Sequence, residues 1–329
     1  MKPKVWTEVK LHPDAMARLV EVADVAEDAP ASKREKLPGV EIAIIGSAKV
    51  DNEFFDQAGP QLKMAIRHGI GYDKLNVAQA SARGILTANT PNGPTEGTAE
   101  HAVGLIFAVA KNICRSDRNL HADGVWAKAK FRGTELLGKT LGLVGFGRVG
   151  QRVAEMCGLG VRMEIVFYDP FLPAGAKLPP YATRIDKLDD LLARADVVSL
   201  HLGASAQTYR MIGEAQLRMM KKDAFIINTS RGEIIDEKAL ISVLQSGHLR
   251  GAGIDVFDPE PAAPDNPLFK MDNVVTTPHD ASATVQASFK SSSGVVDQII
   301  QLIKGEKPVS LLDPGVWPGR MAGRVAKSA

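Results

Sequence analysis

Three polar residues in this 329-residue chain are of the types that acid–base work on a carboxylate-bearing substrate needs: Arg231, Glu260 and His279. An arginine offers a planar fork that grips a carboxylate through two parallel hydrogen bonds. A histidine is the side chain best suited to passing a proton near neutral pH. A glutamate beside it stabilises the imidazolium, raises the ring's pKa and fixes its orientation. Each residue also has an ordinary alternative when taken singly. Arg231 can cap a strand end, Glu260 lies in the Pro-rich loop Asp258-Pro259-Glu260-Pro261 where a solvated acid is usual, and a lone histidine is more often structural than catalytic. Their shared location beside a dinucleotide signature is what sets them apart.

That signature runs from Lys139 to Asp169. Leu141–Val144 is a short apolar run with the look of a buried parallel strand, and Gly145-Phe146-Gly147-Arg148-Val149-Gly150 follows at once. A helically spaced segment, Gln151–Leu159, leads to a second strand, Met163–Tyr168, which ends on Asp169. Gly145 lets the strand turn tightly into the helix, Gly147 leaves room for a pyrophosphate, and Gly150 lets the helix lie close to the sheet. The helix N-terminus, with Arg148 and Val149 in its first turn, offers N–H groups and a positive dipole end to phosphates. Asp169 can accept both ribose hydroxyls and would repel a 2′-phosphate, which selects NAD. A glycine turn alone also occurs as a plain structural βα turn; the two strands, the helix and the acid carry the dinucleotide reading together.

The elements that must position these residues alternate along the whole chain. Before residue 97, strand-like runs fall at Lys4–Thr7, Glu41–Ile45, Leu62–Ile66 and Ile85–Ala88, with a helix over Asp14–Val22. Arg67-His68-Gly69-Ile70-Gly71-Tyr72-Asp73 is a strand running into a glycine-rich loop. The N–H groups of such a loop can hold a carboxylate or carbonyl, and Arg67 adds charge; a plain turn with a surface arginine is the alternative. Thr90–Pro94 is a breaker cluster suited to a linker, after which one long apolar helix is expected from about Thr95 through Ala99–Val109 and on to Leu120.

Beyond Asp169 the reading is helix Leu188–Arg194, strand Asp196–Leu200, helix Gly213–Met220, strand Ala224–Asn228, helix Asp236–Ser246, and strands Gly251–Ile254 and Asn273–Thr276. Strands that recur with helices between them make a parallel, doubly wound sheet. Ligands bind at the carboxyl ends of such strands, where His201, Arg231, Asp255 and His279 fall. A last helix over Gln286–Ile303 and a Pro/Gly-rich tail are expected to return to the first domain. The expected fold is therefore α/β with two Rossmann-like domains: 1–97 plus 284–329 for substrate and catalysis, and 98–283 for NAD.

With hydrophobic residues at 45% and charged residues at 24%, the composition is that of a globular protein of about two domains. A net charge of +2 implies no general attraction to nucleic acid or to anionic membrane. Cys114 and Cys157 have neither metal-ligand spacing nor a disulfide framework, so no metal is expected. No apolar run reaches the ~18 residues of a membrane span, and Met1-Lys2-Pro3 does not open a signal peptide; a cytoplasmic location is expected. With a dinucleotide site next to them, the three polar residues fit hydride transfer to a 2-keto acid: Arg231 holds the carboxylate and polarises the carbonyl while His279 supplies the proton.

From about Gly46 to Pro314 the chain resembles the D-isomer-specific 2-hydroxyacid dehydrogenases. Asn228-Thr229-Ser230-Arg231-Gly232 is similar to the family's substrate-arginine motif, Gly253–Pro261 to its catalytic-glutamate segment, and Thr277-Pro278-His279 to its catalytic-histidine motif. The resemblance implies that Arg231 binds the substrate carboxylate, with Glu260 and His279 as the acid/base pair. It implies that Ile70 and Gly71 present backbone N–H groups to the substrate, with Arg67 beside them. Asp255 would bond the nicotinamide carboxamide, and Thr98, His201, Thr208, the Thr229 carbonyl, His279 and Ala281 would line the cofactor. A homodimer through the helix near 99–120 is likewise implied. Two positions depart from the pattern: Gly203, where many relatives carry proline, is expected to loosen its loop, and Asp280, after the catalytic histidine, either raises the His279 pKa or faces solvent.

Three readings follow. One is an NAD-dependent reductase of a small 2-keto acid such as glyoxylate or hydroxypyruvate. The second keeps fold and cofactor but takes 3-phosphoglycerate, with Arg67 near the phosphate and no regulatory domain expected after the tail. The third is a dinucleotide-sensing interaction protein, like the transcriptional corepressors that share this fold.

Overall fold

The structure, a computed structural model, describes residues 2–27, 34–124, 126, 130–173 and 175–318. The chain divides into two compact units, Met1–Thr95 with Ala283–Ala329, and Glu96–Ser282. The expected tail beyond residue 318 lies outside the described residues.

The first unit is built from β1 (Lys4–Thr7), α1 (Pro13–Val22), β2 (Asp24–Glu27), β3 (Ile42–Ile45), α2 (Asn52–Ala58), β4 (Met64–Arg67), α3 (Val77–Ala82) and β5 (Leu86–Ala88). Its parallel sheet has the order β2-β1-β3-β4-β5, the doubly wound pattern in which the chain reverses direction between β1 and β3. Strands covered on both faces must be apolar on both. Val5, Ile42, Ile44, Met64 and Ile66 supply one face, and Trp6, Ala43, Ile45 and Ala65 the other.

In the second unit α4 (Thr95–Ala110) and α5 (Ile113–Asp123) lead into β6 (Thr140–Val144), α6 (Arg148–Glu155), β7 (Glu164–Tyr168), β8 (Ala182–Arg184), α7 (Leu188–Arg194) and β9 (Val197–Leu200). Then come α8 (Glu214–Met219), β10 (Phe225–Asn228), α9 (Glu237–Gln245), β11 (Gly251–Ile254) and β12 (Val274–Thr276). The parallel sheet has the order β12-β11-β10-β9-β6-β7-β8, so the winding reverses between β6 and β9. Alternate residues again serve opposite faces: Ile226 packs with Val198 and Leu191, while Phe225 and Ile227 pack with Ala102 and Leu105 of α4. The chain then returns to the first unit as α10 (Val285–Lys304), whose Val295, Val296, Ile299 and Leu302 cover the same sheet face as α1.

Three features differ from the sequence expectation. The single long helix to Leu120 is interrupted: Asn112 adopts a left-handed conformation (φ 55°) between α4 and α5. Asparagine tolerates that conformation better than most residues, and nothing in the apolar pattern reveals it. The helix expected over Gln151–Leu159 stops being α-helical after Glu155 and continues as a π-helical turn, Met156–Val161. Strands β2 and β8 were not expected; both are sheet edges, and the short, partly exposed runs Asp-Val-Ala-Glu and Ala-Thr-Arg carry little apolar signal. No helix among the described residues is long and apolar enough to cross a membrane.

Candidate active site

The reversal point of the second sheet is shaped by the glycine turn after β6. Gly145 has φ 98°, and a Cβ there would lie 2.6 Å from the His201 carbonyl oxygen. Only glycine satisfies both conditions. A Cβ on Gly150 would lie 2.3 Å from the Gly145 carbonyl oxygen, so the third glycine sets how closely α6 meets the turn. Gly147 is different, because a Cβ there meets nothing within 4 Å. The protein has no packing need for glycine at that place, whereas a phosphate approaching the helix N-terminus does. Phe146, between them, is buried and stacked on Phe167 with centroids 3.8 Å apart, which pins the turn to the core.

Asp169 ends β7 and is tied to that turn. Its Oδ2 accepts the Phe146 N–H at 2.8 Å and its Oδ1 the Phe171 N–H at 2.9 Å. Each oxygen keeps a further lone pair for a hydroxyl donor. Arg148 and Val149 stand in the first turn of α6, and Thr98 in that of α4. His201 follows β9, with Nε2 2.9 Å from the Ser199 hydroxyl; burial pushes its pKa down to about 4, so the ring is neutral at physiological pH. Thr208 is buried, donates its hydroxyl to the Gly203 carbonyl (2.8 Å) and accepts the Ser205 N–H (2.8 Å). The Gly203 loop is thus tied down by a side chain five residues on, where the absence of proline had suggested a loose one. The Thr229 hydroxyl is buried without a hydrogen-bond partner among the described residues, a polar atom left for a bound group to satisfy.

The three residues expected to do acid–base work, Arg231, Glu260 and His279, lie on the loops after β10, β11 and β12. Gly232, next to Arg231, approaches the Phe257 backbone so closely that a Cβ would come within 2.0 Å of it, which ties the arginine loop to the glutamate loop. The Arg231 Nη1 donates to the Ser230 carbonyl at 2.7 Å. The Glu260 Oε1 accepts the Phe257 N–H at 3.0 Å, and Oε2 lies 2.8 Å from Nδ1 of His279. Burial acts to raise the Glu260 carboxyl, but the His279 and Phe257 hydrogen bonds and the charges of His279 and Arg231 outweigh it and hold it below the usual carboxylate range. An ionised carboxylate can only accept, so Nδ1 of His279 carries hydrogen and Nε2 is the atom left to exchange a proton. His279 itself has φ 54° and stands half exposed, with its N–H on the Asp255 carbonyl at 2.7 Å.

Asp255 is fully buried. Its Oδ1 accepts the Thr277 hydroxyl (2.6 Å) and the Asp280 N–H (3.0 Å), and its Oδ2 the Ala281 N–H (3.2 Å). This carboxylate is the internal clamp of the histidine loop. The Asp280 side chain is partly exposed, with Oδ1 4.0 Å from Nε2 of His101 on α4. Neither His101 nor Thr277 was singled out as a site residue from sequence; a histidine on an apolar helix carries no spacing rule that would find it.

The glycine-rich loop of the first unit is braced from within. Gly69 (φ 137°) donates its N–H to the Thr90 hydroxyl at 2.8 Å. Nε and Nη1 of Arg67 donate to the carbonyls of Gly71 (2.9 Å) and Ile45 (3.2 Å), and Asn89 donates to the Ile70 carbonyl (2.8 Å). These bonds occupy carbonyls and leave the Ile70 and Gly71 N–H groups without partners among the described residues.

Residues 103–281 match the family model described as D-isomer specific 2-hydroxyacid dehydrogenase, NAD binding domain. A glyoxylate reductase of Korarchaeum cryptofilum is 35% identical over 334 aligned residues, covering 98% of this chain and 99% of that protein. A D-3-phosphoglycerate dehydrogenase of Archaeoglobus fulgidus is 39% identical over 271 residues, covering 82% of this chain; the chain spans 51% of that relative's length. Among solved structures, an NADPH-dependent glyoxylate/hydroxypyruvate reductase of Sinorhizobium meliloti, in complex with NADP and malonate, is similar with a TM-score of 0.84 at 27% identity, covering 95% of this chain and 97% of the other.

Proposed function

Because the chain belongs to the D-isomer specific 2-hydroxyacid dehydrogenase family, we propose that it transfers a hydride between NAD and C2 of a small 2-keto or 2-hydroxy acid, glyoxylate or hydroxypyruvate being the expected substrates. The observation that carries this reading is the His279–Glu260 pair, 2.8 Å apart on loops at the carboxyl ends of the strands, with the Arg231 charge acting on Glu260.

NAD, when bound, supplies or takes the hydride. Asp169 holds the ribose hydroxyls, Gly145, Gly147, Arg148, Val149 and Gly150 surround the pyrophosphate, and Thr98, His201, Thr208, Thr229 and Ala281 line the rest. Asp255 orients the carboxamide. Arg231 grips the substrate carboxylate, and in the first unit the Ile70 and Gly71 N–H groups are of the kind that hold a carboxylate or carbonyl. As C2 is reduced, Nε2 of His279 gives its proton to the carbonyl oxygen, and Glu260 steadies the imidazolium before the transfer. In the oxidative direction Nε2 takes that proton back. Arg67 braces its loop through two carbonyls, so its assigned role is to shape the substrate site. Two exposed residues on one face of α5, Ile113 and Leu120, support a homodimer through α4 and α5. The free thiols, Cys157 being pushed up to about 12 by burial and so inert, fit a reducing cytoplasm.

A second reading, oxidation of 3-phosphoglycerate, is favoured by the 39% identity to the Archaeoglobus relative. Both are tested by following NADH oxidation against glyoxylate, hydroxypyruvate, pyruvate, bulkier keto acids and phosphohydroxypyruvate, with NADPH in parallel. Turnover of glyoxylate or hydroxypyruvate with NADH preferred is the expected result. Selective turnover of phosphohydroxypyruvate installs the second reading, and preference for NADPH refutes the role of Asp169. Tight NADH binding with no turnover of any acid points to a dinucleotide-sensing protein instead.

A further inference from the structure

The loop Gly69-Ile70-Gly71 follows β4, and Asn89-Thr90 follows β5, the strand paired beside it. Two donors of the second segment take two successive carbonyls of the first. The Thr90 N–H bonds the Gly69 carbonyl at 3.0 Å, and Nδ2 of Asn89 bonds the Ile70 carbonyl at 2.8 Å. A carbonyl can only accept, so the amide nitrogen of Asn89 is the atom that faces it. In a planar trans peptide the C=O and the N–H point in opposite directions. The Gly69 carbonyl shares its peptide with the Ile70 N–H, and the Ile70 carbonyl shares its peptide with the Gly71 N–H. Holding both carbonyls toward Asn89-Thr90 therefore turns both N–H groups away from it, and successive N–H groups turned one way make a nest for an oxygen. Asn89 is itself fixed. It is 7% exposed, its N–H donates to the Ser310 carbonyl (3.3 Å), and its carbonyl accepts from Nε2 of the buried Gln298 on α10 (2.9 Å).

We propose that Asn89 is a positioning residue for the substrate: through the Ile70 carbonyl it aims the Gly71 N–H, beside the Ile70 N–H that Thr90 aims, at an oxygen of the small acid. The proposal rests on the reading of this loop as part of the substrate site.

The test measures binding of oxamate, an unreactive analogue of a 2-keto acid, to the NADH-loaded protein, beside keto-acid kinetics. Asn89→Ala weakens oxamate and lowers kcat/KM by roughly tenfold each, the worth of one well-aimed hydrogen bond, while NADH affinity stays within about twofold. Asn89→Asp has the same size but, when ionised, no hydrogen to give, so at about pH 8 it loses at least as much. The protonated acid regains a donor. Its kcat/KM, divided by that of wild type at each pH so that the shared proton transfer cancels, therefore rises about threefold or more between roughly pH 8 and 5. An asparagine with a merely structural role shows the same loss at every pH. Asn89→Asp also keeps the test open if Asn89→Ala does not fold. Unchanged oxamate affinity in Asn89→Ala, or a flat ratio for Asn89→Asp, overturns the proposal. A wild-type protein that binds NADH but neither binds oxamate nor turns over a keto acid refutes the substrate site itself before any variant is made, and the proposal falls with it.

Discussion

The two units wind their sheets in the same way, yet treat the point where the winding reverses in opposite ways. In the first unit that point lies between β1 and β3. Glu8, the residue after β1, puts its carboxylate on the N–H groups that follow β3: Gly46 at 2.7 Å, Ser47 at 3.0 Å and Ala48 at 2.9 Å. Consecutive N–H groups of this kind are an anion-binding nest, and the chain fills it with its own anion. In the second unit the point lies between β6 and β9, and the residues after β6 are Gly145, Phe146 and Gly147. There the acid, Asp169, comes from the neighbouring strand and bonds the back of the turn, while the space at Gly147 stays open. One α/β architecture thus yields a closed scaffold and a dinucleotide site, and the difference is a few side chains at the strand ends.

The largest expected effect comes from emptying the strand ends of the second unit of their proposed proton donor. His279→Ala lowers kcat/KM by roughly 10²- to 10⁴-fold, the usual worth of general acid–base catalysis, with NADH affinity little changed. Steady-state kinetics on the best keto acid, beside NADH titration, checks it. An equal loss from Glu8→Ala would mean that the first unit's reversal point is not the inert one.

Two glycines sharpen the contrast next. Gly147→Ala adds a methyl group where the protein has room, at ordinary backbone angles (φ −75°, ψ −162°). It should weaken NADH by roughly tenfold while moving stability by less than about 0.5 kcal/mol. Gly46→Ala does the reverse. Its Cβ would lie 2.4 Å from Cγ1 of Val9, so it costs about 1–3 kcal/mol in urea unfolding and leaves NADH affinity alone. If Gly147→Ala destabilises the fold and spares binding, the open space has been misassigned.

How much of this was legible in the sequence follows the same division. The glycine turn and Asp169 share one short stretch, and Arg231, Glu260 and His279 sit just past apolar runs, so periodicity finds the strands and loops that carry them, while their proposed roles come from the family resemblance. Most strands of both sheets are buried on both faces and show as apolar runs. What stayed hidden depends on contacts across long sequence separations. The Glu8 plug joins residues about 38 to 40 positions apart, and His101 meets Thr277 across 176. The break at Asn112 is set by one left-handed residue inside a helical pattern, and the edge strands β2 and β8 bury too little to be seen.

Acid pH should act on both units through histidines. In the first, burial and then the neighbouring Arg67 charge push His68 down to about 4 from 6.5, while its Nε2 stays 3.0 Å from the Ser292 hydroxyl. Between those two values the unfolded chain binds a proton that the folded one does not, so stability rises with pH across the window and falls as pH drops from 6.5 toward 4. For a half-buried ring the loss is about 2 kcal/mol. Urea midpoints measured across the window check it: His68→Gln should flatten the slope in proportion, and a variant with an unchanged slope would remove His68 from the account. His201, pushed down by burial alone to about 4, acts with the same sign in the second unit.

The smallest effect probes the plug itself. In Glu8→Ala the N–H groups of Gly46, Ser47 and Ala48 lose a charged acceptor, and water can replace it because the carboxylate is only half buried. The expected cost is about 1 kcal/mol. The variant has also gained something, because a nest without its internal anion is a site for an external one. Sulfate should therefore raise the melting temperature of Glu8→Ala more than that of wild type, by linkage to binding in the folded state only. NADH affinity should be the same in both, since the second unit is untouched. Equal stabilisation of both proteins by sulfate would mean that the Glu8 carboxylate does not hold the nest, and the contrast between a closed and an open reversal point would fail at its first term.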